Sequence, residues 1–225
     1  MSVEISAPAR ASIGNVINPR ANEAREQVFS AQVMDWVLRG WVFSLGLLVD
    51  DTTNIVAMTT LADTTPLVSL QSPAGGDTIV VPILAGMYIT EEDGGGLSQL
   101  DIAYTKAAEE CATNLTLSGT AMTGVINHLT TYPSKRTKCT VLSTVTASAL
   151  TVVDSIVLAH KEIANAILTA ATFMVDPKLE YDFSKAPIAL IEGGALLLYA
   201  YTATTGAEIR PSITWAEIPA DKYLP

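Results

Sequence analysis

The feature that most constrains this chain is a succession of short runs rich in Val, Ile, Leu, Thr and Tyr, separated by clusters of Gly, Pro, Ser and Asp. Leu67-Val-Ser-Leu70 is followed by the turn cluster Ser72-Pro-Ala-Gly-Gly-Asp77, then by the run Thr78 to Ile89. Val141 to Val145 and Leu150 to Leu158 come next. The chain closes with Pro187 to Ile191, Ala195 to Tyr201 and Pro211 to Ile218, joined by Glu192-Gly-Gly194 and a Thr-Gly loop. Runs this short, spaced by turn chemistry, read as antiparallel strands of a sandwich or jelly roll. An α/β fold would need regular alternation with amphipathic helices, and convincing ones are too few. The expected fold is all-β: an antiparallel β-sandwich or jelly roll with an extended N-terminal arm and at most one or two short helices.

Several local readings follow. Leu97 to Tyr104 is expected to return antiparallel to Thr78 to Ile89 as a hairpin. Pro82 argues against that strand sitting unbroken in mid-sheet, because proline cannot donate to a ladder. Thr105 to Cys111, through Lys106-Ala-Ala-Glu-Glu110, is the best helix candidate of the middle region, about two turns long. Ile163 to Val175 fits helix and strand alike. In the last run, Ile213, Trp215 and Glu217 face opposite to Thr214, Ala216 and Ile218. Gly193-Gly194 suits a chain reversal, since glycine accepts positive φ at little cost.

The N-terminal residues have a different texture. Residues 1–27 are dominated by Ala, Ser, Asn and Pro and contain Arg10, Arg20 and Arg25; they read as an arm. From Val28 the side chains alternate as in a strand, with Val28, Ser30, Gln32, Met34 and Trp36 on one face, although neither face is cleanly polar. Trp36 to Leu45 holds two of the three tryptophans, and so apolar a stretch beside an arm needs something to pack on. Residues 28–63 are thus expected to be an apolar β segment for attachment, ahead of a jelly-roll domain at 64–225.

Composition removes several function classes. With 23 acidic and 13 basic residues the formal net charge is −10, so the clustered Lys and Arg of a nucleic-acid binder are missing. The longest apolar stretches, Trp36 to Val49 and Ile188 to Tyr201, are broken by Arg39 and by Glu192 with two glycines, which argues against a membrane span. The first residues lack the basic end and apolar stretch of a secretion signal, so synthesis in a cytoplasm is expected. Charged residues make up only 16% of the chain, against about a quarter in ordinary soluble domains. So little charge suits a subunit whose surface is partly covered by copies of itself or by a neighbour.

Chemical constellations are sparse. Cys111 and Cys139 form neither a disulfide framework nor a zinc site and are expected to be free and buried. A Cys139, His160 and Asp154 triad would supply nucleophile, base and orienter, but no local motif ties the three together, and His128 sits in a polar loop. Asp50-Asp51, Glu91-Glu-Asp93 and Glu109-Glu110 lack EF-hand spacing and read as solvated turns. Gly94-Gly-Gly96 lacks the Lys and Ser or Thr of a phosphate cradle. The Asn114-Leu-Thr116 sequon matters only on a secretory route. Trp36, Trp41 and Trp215 with Tyr199 and Tyr201 are candidates for stacking on sugar rings, against packing in a core or interface. No catalytic, cofactor or metal set is expected.

Ala186-Pro-Ile-Ala-Leu-Ile-Glu-Gly-Gly-Ala-Leu-Leu-Leu-Tyr-Ala-Tyr201 and Ser212-Ile-Thr-Trp-Ala-Glu-Ile-Pro219 resemble the closing strands of small jelly-roll virion proteins of bacteriophages. Leu70-Gln-Ser-Pro-Ala-Gly-Gly-Asp-Thr-Ile-Val-Val-Pro82 resembles their opening strands. The resemblance spans roughly Leu67 to Pro219 and rests on strand order and turns. It implies a trimeric capsid cement, or decoration, protein of the virion, tied to the shell by an extended arm. Arg10, Arg20, Arg25, Trp36 and Trp41 are the expected contacts with the neighbour, which would be a major capsid protein or another virion component. A shell-forming jelly-roll capsid protein and a receptor- or glycan-binding knob are the alternatives.

Overall fold

The computed structural model describes residues 32–45, 55–60, 62–91, 97–129, 136–164, 178–202 and 208–222. The chain divides into two compact units, Met1–Asp35 and Trp36–Pro225. The elements are α1 (Gln32–Leu38), β1 (Val42–Leu45), β2 (Ile55–Val56), β3 (Val68–Gln71), β4 (Thr78–Glu91), β5 (Leu97–Thr105), β6 (Leu117–Ala121), β7 (Val125–Asn127), β8 (Thr140–Ala147), β9 (Ser155–Ala164), β10 (Lys178–Asp182), β11 (Ala195–Thr202) and β12 (Glu208–Pro219). They form two antiparallel sheets packed as a sandwich. One has the order β10-β4-β12-β1-β7, with β2 also pairing β12; the other runs β6-β8-β3-β11-β5-β9.

The pairings have a simple logic. β5 pairs with β9, β4 with β10, β3 with β11 and β2 with β12, all antiparallel. These are four nested pairs, alternately in one sheet and the other, so a two-stranded ribbon is wound around the core. That winding is a jelly roll. β6, β7 and β8 are inserted between β5 and β9; β8 extends one sheet beside β3, and β7 extends the other beside β1. The roll begins at β2, upstream of the expected boundary at residue 64.

Both sheets are covered on their outer faces as well. Leu196, Leu198 and Ala200 of β11 enter the main core, while Ala195, Leu197 and Tyr199 join a second cluster with Cys111, Leu115 and Leu150. A strand with two buried faces loses its period-two pattern, which is why Ala195 to Tyr201 is apolar throughout. β12 behaves alike: Ile209, Ile213 and Trp215 face the main core, and Ala216 and Ile218 pack with Trp36 and Val42. The opposite orientation of these two sets matches the alternation read from the sequence. Trp215 is fully buried and stacks against Phe43 of the neighbouring strand, with ring centroids 6.1 Å apart.

Four local expectations are corrected. Gln32–Leu38 is helical, not extended; residues 28–31 lie outside the described residues. Trp41 N–H donates to the Trp36 carbonyl at 2.9 Å and Gly40 N–H to that of Val37 at 2.8 Å, with Gly40 at φ 66°. This is a Schellman stop with glycine in the left-handed position. β4 and β5 do not form a hairpin, because they lie in different sheets. Thr105 to Cys111 yields only a single 3-10 turn, Ala108–Glu110. Pro187 to Ile191 contributes one bridge, Leu190 to Val80, rather than a strand. Ile163 and Ala164 end β9, and residues 165–175 of that ambiguous run lie outside the described residues.

Pro82 does sit within a central strand, and the geometry shows how. Val80 exchanges both backbone hydrogen bonds with Leu190, so two residues on, the missing N–H of Pro82 points to the same side. There β10 has already ended, its last pair being Asp182 with Leu84, and no ladder bond is lost. A bulge between the pairs Thr214 with Leu84 and Trp215 with Pro82 inserts Ile83. The extra residue shifts the alternation, so that Val80 before it and Ala85, Met87 and Ile89 after it all reach the main core. Glu192 and Gly193, both at positive φ, make the tight reversal into β11, closed by Gly194 N–H on the Ile191 carbonyl at 2.8 Å.

Candidate functional site

The outer face of the β12 sheet and the adjoining end of the sandwich carry two of the expected contact residues, Trp36 and Trp41, beside others the sequence did not suggest. α1 delivers Trp36 into the cluster with Val42, Ala216 and Ile218, where it is 7% exposed. Trp36 therefore helps build this face from beneath. The Schellman stop turns the chain so that Trp41 lies half-buried at the surface, with the Arg39 guanidinium 5.1 Å from its ring centroid. Trp41 also lines a shallow cleft with Thr78, Arg136, Lys138, Glu217 and Pro219. Arg39, Arg136 and Lys138 are all exposed, so a tryptophan edge and three cations converge on a chain that is acidic overall. Leu38, at the end of α1, adds an apolar side chain that is 59% exposed. Arg10, Arg20 and Arg25 lie outside the described residues.

Glu217 forms the floor of the cleft. Its side chain is buried, and it accepts hydrogen bonds from the Thr137 hydroxyl, the Lys138 amide at 2.8 Å, the Cys139 amide at 3.5 Å and the Trp215 indole at 3.0 Å. A carboxylate with this many donors is satisfied and fixed. It ties the segment before β8 to the end of β12 across the sandwich. Lys138 extends the tie, donating to Asp77 Oδ2 at 3.2 Å and to Thr78 Oγ1 at 3.0 Å, which holds the Asp77 carboxyl below its usual range. The Cys139 thiol is pushed well above its ordinary value by burial and by the neighbouring Glu217 carboxylate; such a thiol is inert.

The Cys139, His160 and Asp154 set is not brought together. His160 Nδ1 lies 2.5 Å from Asp101 Oδ1 on the adjacent strand, and Gln99 donates to the other carboxylate oxygen at 2.8 Å. The hydrogen bond to Asp101 raises the His160 pKa, and Glu162, 3.7 Å from Nε2, adds to the effect. Asp154 instead accepts from the Thr151 hydroxyl and amide and from the Ala112 amide, which hold its carboxyl below the usual range. Cys111 and Cys139 are free and buried. His128 bonds to Ser44 at 2.6 Å.

Among the aromatic residues considered for sugar stacking, Trp215 is enclosed between the sheets, Trp36 is buried between α1 and the β12 sheet, and Tyr199 is buried with its hydroxyl on the Asp63 carbonyl at 2.9 Å. Trp41 and Tyr201 keep part of their surface accessible. Residues 92–96, with the acidic and glycine clusters that follow Glu91, lie outside the described residues, as does Asp50-Asp51. Among the described residues no helix is long and apolar enough to cross a membrane. No family model, curated protein or solved structure matches this chain.

Proposed function

We propose that this protein is a structural virion protein, a cement or decoration protein that stabilises a phage head as a homotrimer. The observation that carries the reading is the Trp41 face of the jelly roll. There an accessible tryptophan edge stands beside the cations Arg39 and Arg136 and beside Lys138, itself paired with Asp77, on a chain that is acidic overall. Such a face suits a flat neighbour with acidic and apolar surface, and burying its apolar area at about 25 cal/mol per Å² would hold the contact without many ion pairs. The arm at 1–27, through Arg10, Arg20 and Arg25, would extend the grip on the same neighbour. The sparse charge of the chain suits burial of further surface between copies.

Electron microscopy of the intact particle tests the assignment, with this chain expected on the outside of a shell made by another protein. A shell built from this chain would support the capsid-protein alternative instead. Light scattering at micromolar concentration is expected to give a trimer, and a monomer would count against it. Removing residues 1–26, or reversing charge with Arg39→Glu and Arg136→Glu, is expected to weaken attachment to the head. The attachment reading fails if both variants bind as the native chain does.

A further inference from the structure

We propose that β9 is a self-pairing edge, at which two copies of this chain join antiparallel about a two-fold axis. β9 is the last strand of its sheet, bonded on one side to β5, and among the described residues no strand pairs with its other side. Natural edges of this kind are blunted with lysine, proline, inward-pointing charge or a bulge. The first half of β9, Ser155 to Ala159, has no lysine, proline or charge, and its one guard is the bulge at Leu158. Ile156 is 55% and Val157 59% exposed, and neither belongs to a core cluster. The turn that leads into the strand adds Val152 at 96% and Val153 at 63% exposed. The bulge at Leu158 increases the local twist but leaves Ser155 to Val157 extended and in ladder with β5.

The charges at the two ends of the strip select a second copy as the occupant. At the N-terminal end the Asp154 carboxylate is turned inward onto Ala112 and Thr151. The exposed Lys106, whose amide donates to the Asp154 carbonyl at 3.1 Å, stands beside it. At the C-terminal end stands Glu162, its side chain 58% exposed and 3.7 Å from His160 Nε2, while Lys161 is turned to the Lys178 carbonyl at 2.7 Å. An antiparallel two-fold lays each N-terminal end against the other strand's C-terminal end. Lys106 then meets Glu162 of the partner subunit, twice per joint, while the uncharged halves pair between them. For a chain of net charge −10, a joint that is apolar in the middle and oppositely charged at its ends is one its copies can form without repulsion. One strand and a turn offer less than the roughly 800 Å² per partner of a standard interface, so the contact is weak and concentration-dependent. It does not rest on the virion reading: a trimeric body would use it to link trimers, a monomeric one to dimerise.

Sedimentation velocity of the full chain, from low micromolar to submillimolar concentration, tests the joint. A larger species is expected to grow with concentration and to vanish in Val157→Lys, whose thermal melt by circular dichroism stays native-like. Lys106→Glu and Glu162→Lys are each expected to weaken association several-fold, and the double variant to restore it. The proposal is overturned if no such species forms, if Val157→Lys associates like the native chain, or if the double variant associates no better than the singles. The species present at the lowest concentration reports separately on the trimer.

Discussion

Two of the three longest strands, β12 and β9, meet opposite fates. β12 has strands on both sides and side chains buried on both faces, with Trp215 and Glu217 turned inward and Ala216 and Ile218 covered by Trp36. Among the described residues β9 pairs with a strand on one side only, and it shows Ile156 and Val157 to solvent. Each carries a hydrogen-bonded carboxylate nearby. That of Glu217 is buried beneath four donors, whereas that of Asp101 shares its hydrogen bond with a half-exposed, titratable histidine. The difference teaches that the same polar chemistry acts as a fixed clasp where it is enclosed and as an adjustable one at an edge.

The contrast can be broken most severely at Trp215. Trp215→Ala removes the largest fully buried side chain and is expected to cost about 3–5 kcal/mol, read from denaturant unfolding. Glu217→Gln comes next, since an amide nitrogen cannot accept from the donors that converge there, and an unmatched buried donor costs about 1–3 kcal/mol. Faster amide exchange at Lys138 and Cys139 would locate the loss. At the edge, Asp101→Asn is expected to cost about 1 kcal/mol: Asp101 is itself buried, but its partner His160 is half-exposed and the amide keeps one oxygen to accept with.

Its signature is pH dependence. The folded-state pKa of His160 is raised above the ordinary 6.5, so the pair's contribution is full below that unfolded value and fades as pH rises through the folded one. Asp101→Asn should remove most of this slope and bring the His160 ring titration back toward its ordinary value, as seen by NMR; an unchanged titration would sink the account. Smallest of all, Val157→Lys should leave unfolding free energy within about 0.5 kcal/mol, checked in the same denaturant titration.

Much of the sandwich was legible. β4, β11 and β12 announce themselves through β-branched and aromatic runs bounded by Ser72-Pro-Ala-Gly-Gly-Asp77 and Glu192-Gly-Gly194. Periodicity identifies a strand but not its partner, and so β4 and β5, adjacent in sequence, were read as a hairpin although the winding sends them to different sheets. α1 was misread because Val33, Asp35 and Val37 alternate with Met34 and Trp36 in a way that fits either period; the overlooked signal was Gly40, a helix stop. Glu217 gave no sign of its role, since nothing in one sequence links it to Thr137, Lys138 and Cys139. The sparse charge also has a partial explanation within the chain: covering the outer faces of both sheets absorbs apolar side chains that a simple two-layer sandwich would leave for partners.

The nested pairing also implies an order of events as the chain folds. Of the four pairs, β5 with β9 closes the shortest loop and β2 with β12 the longest, and the entropy of closure grows with loop length. The ribbon should therefore zip from its innermost pair outward, each closed pair shortening the loop the next must bridge. β12 is needed by both β2 and β1, so the outermost turn of the roll cannot close until β12 has been made. Among the described residues, the strand furthest along the chain is the one that completes the roll.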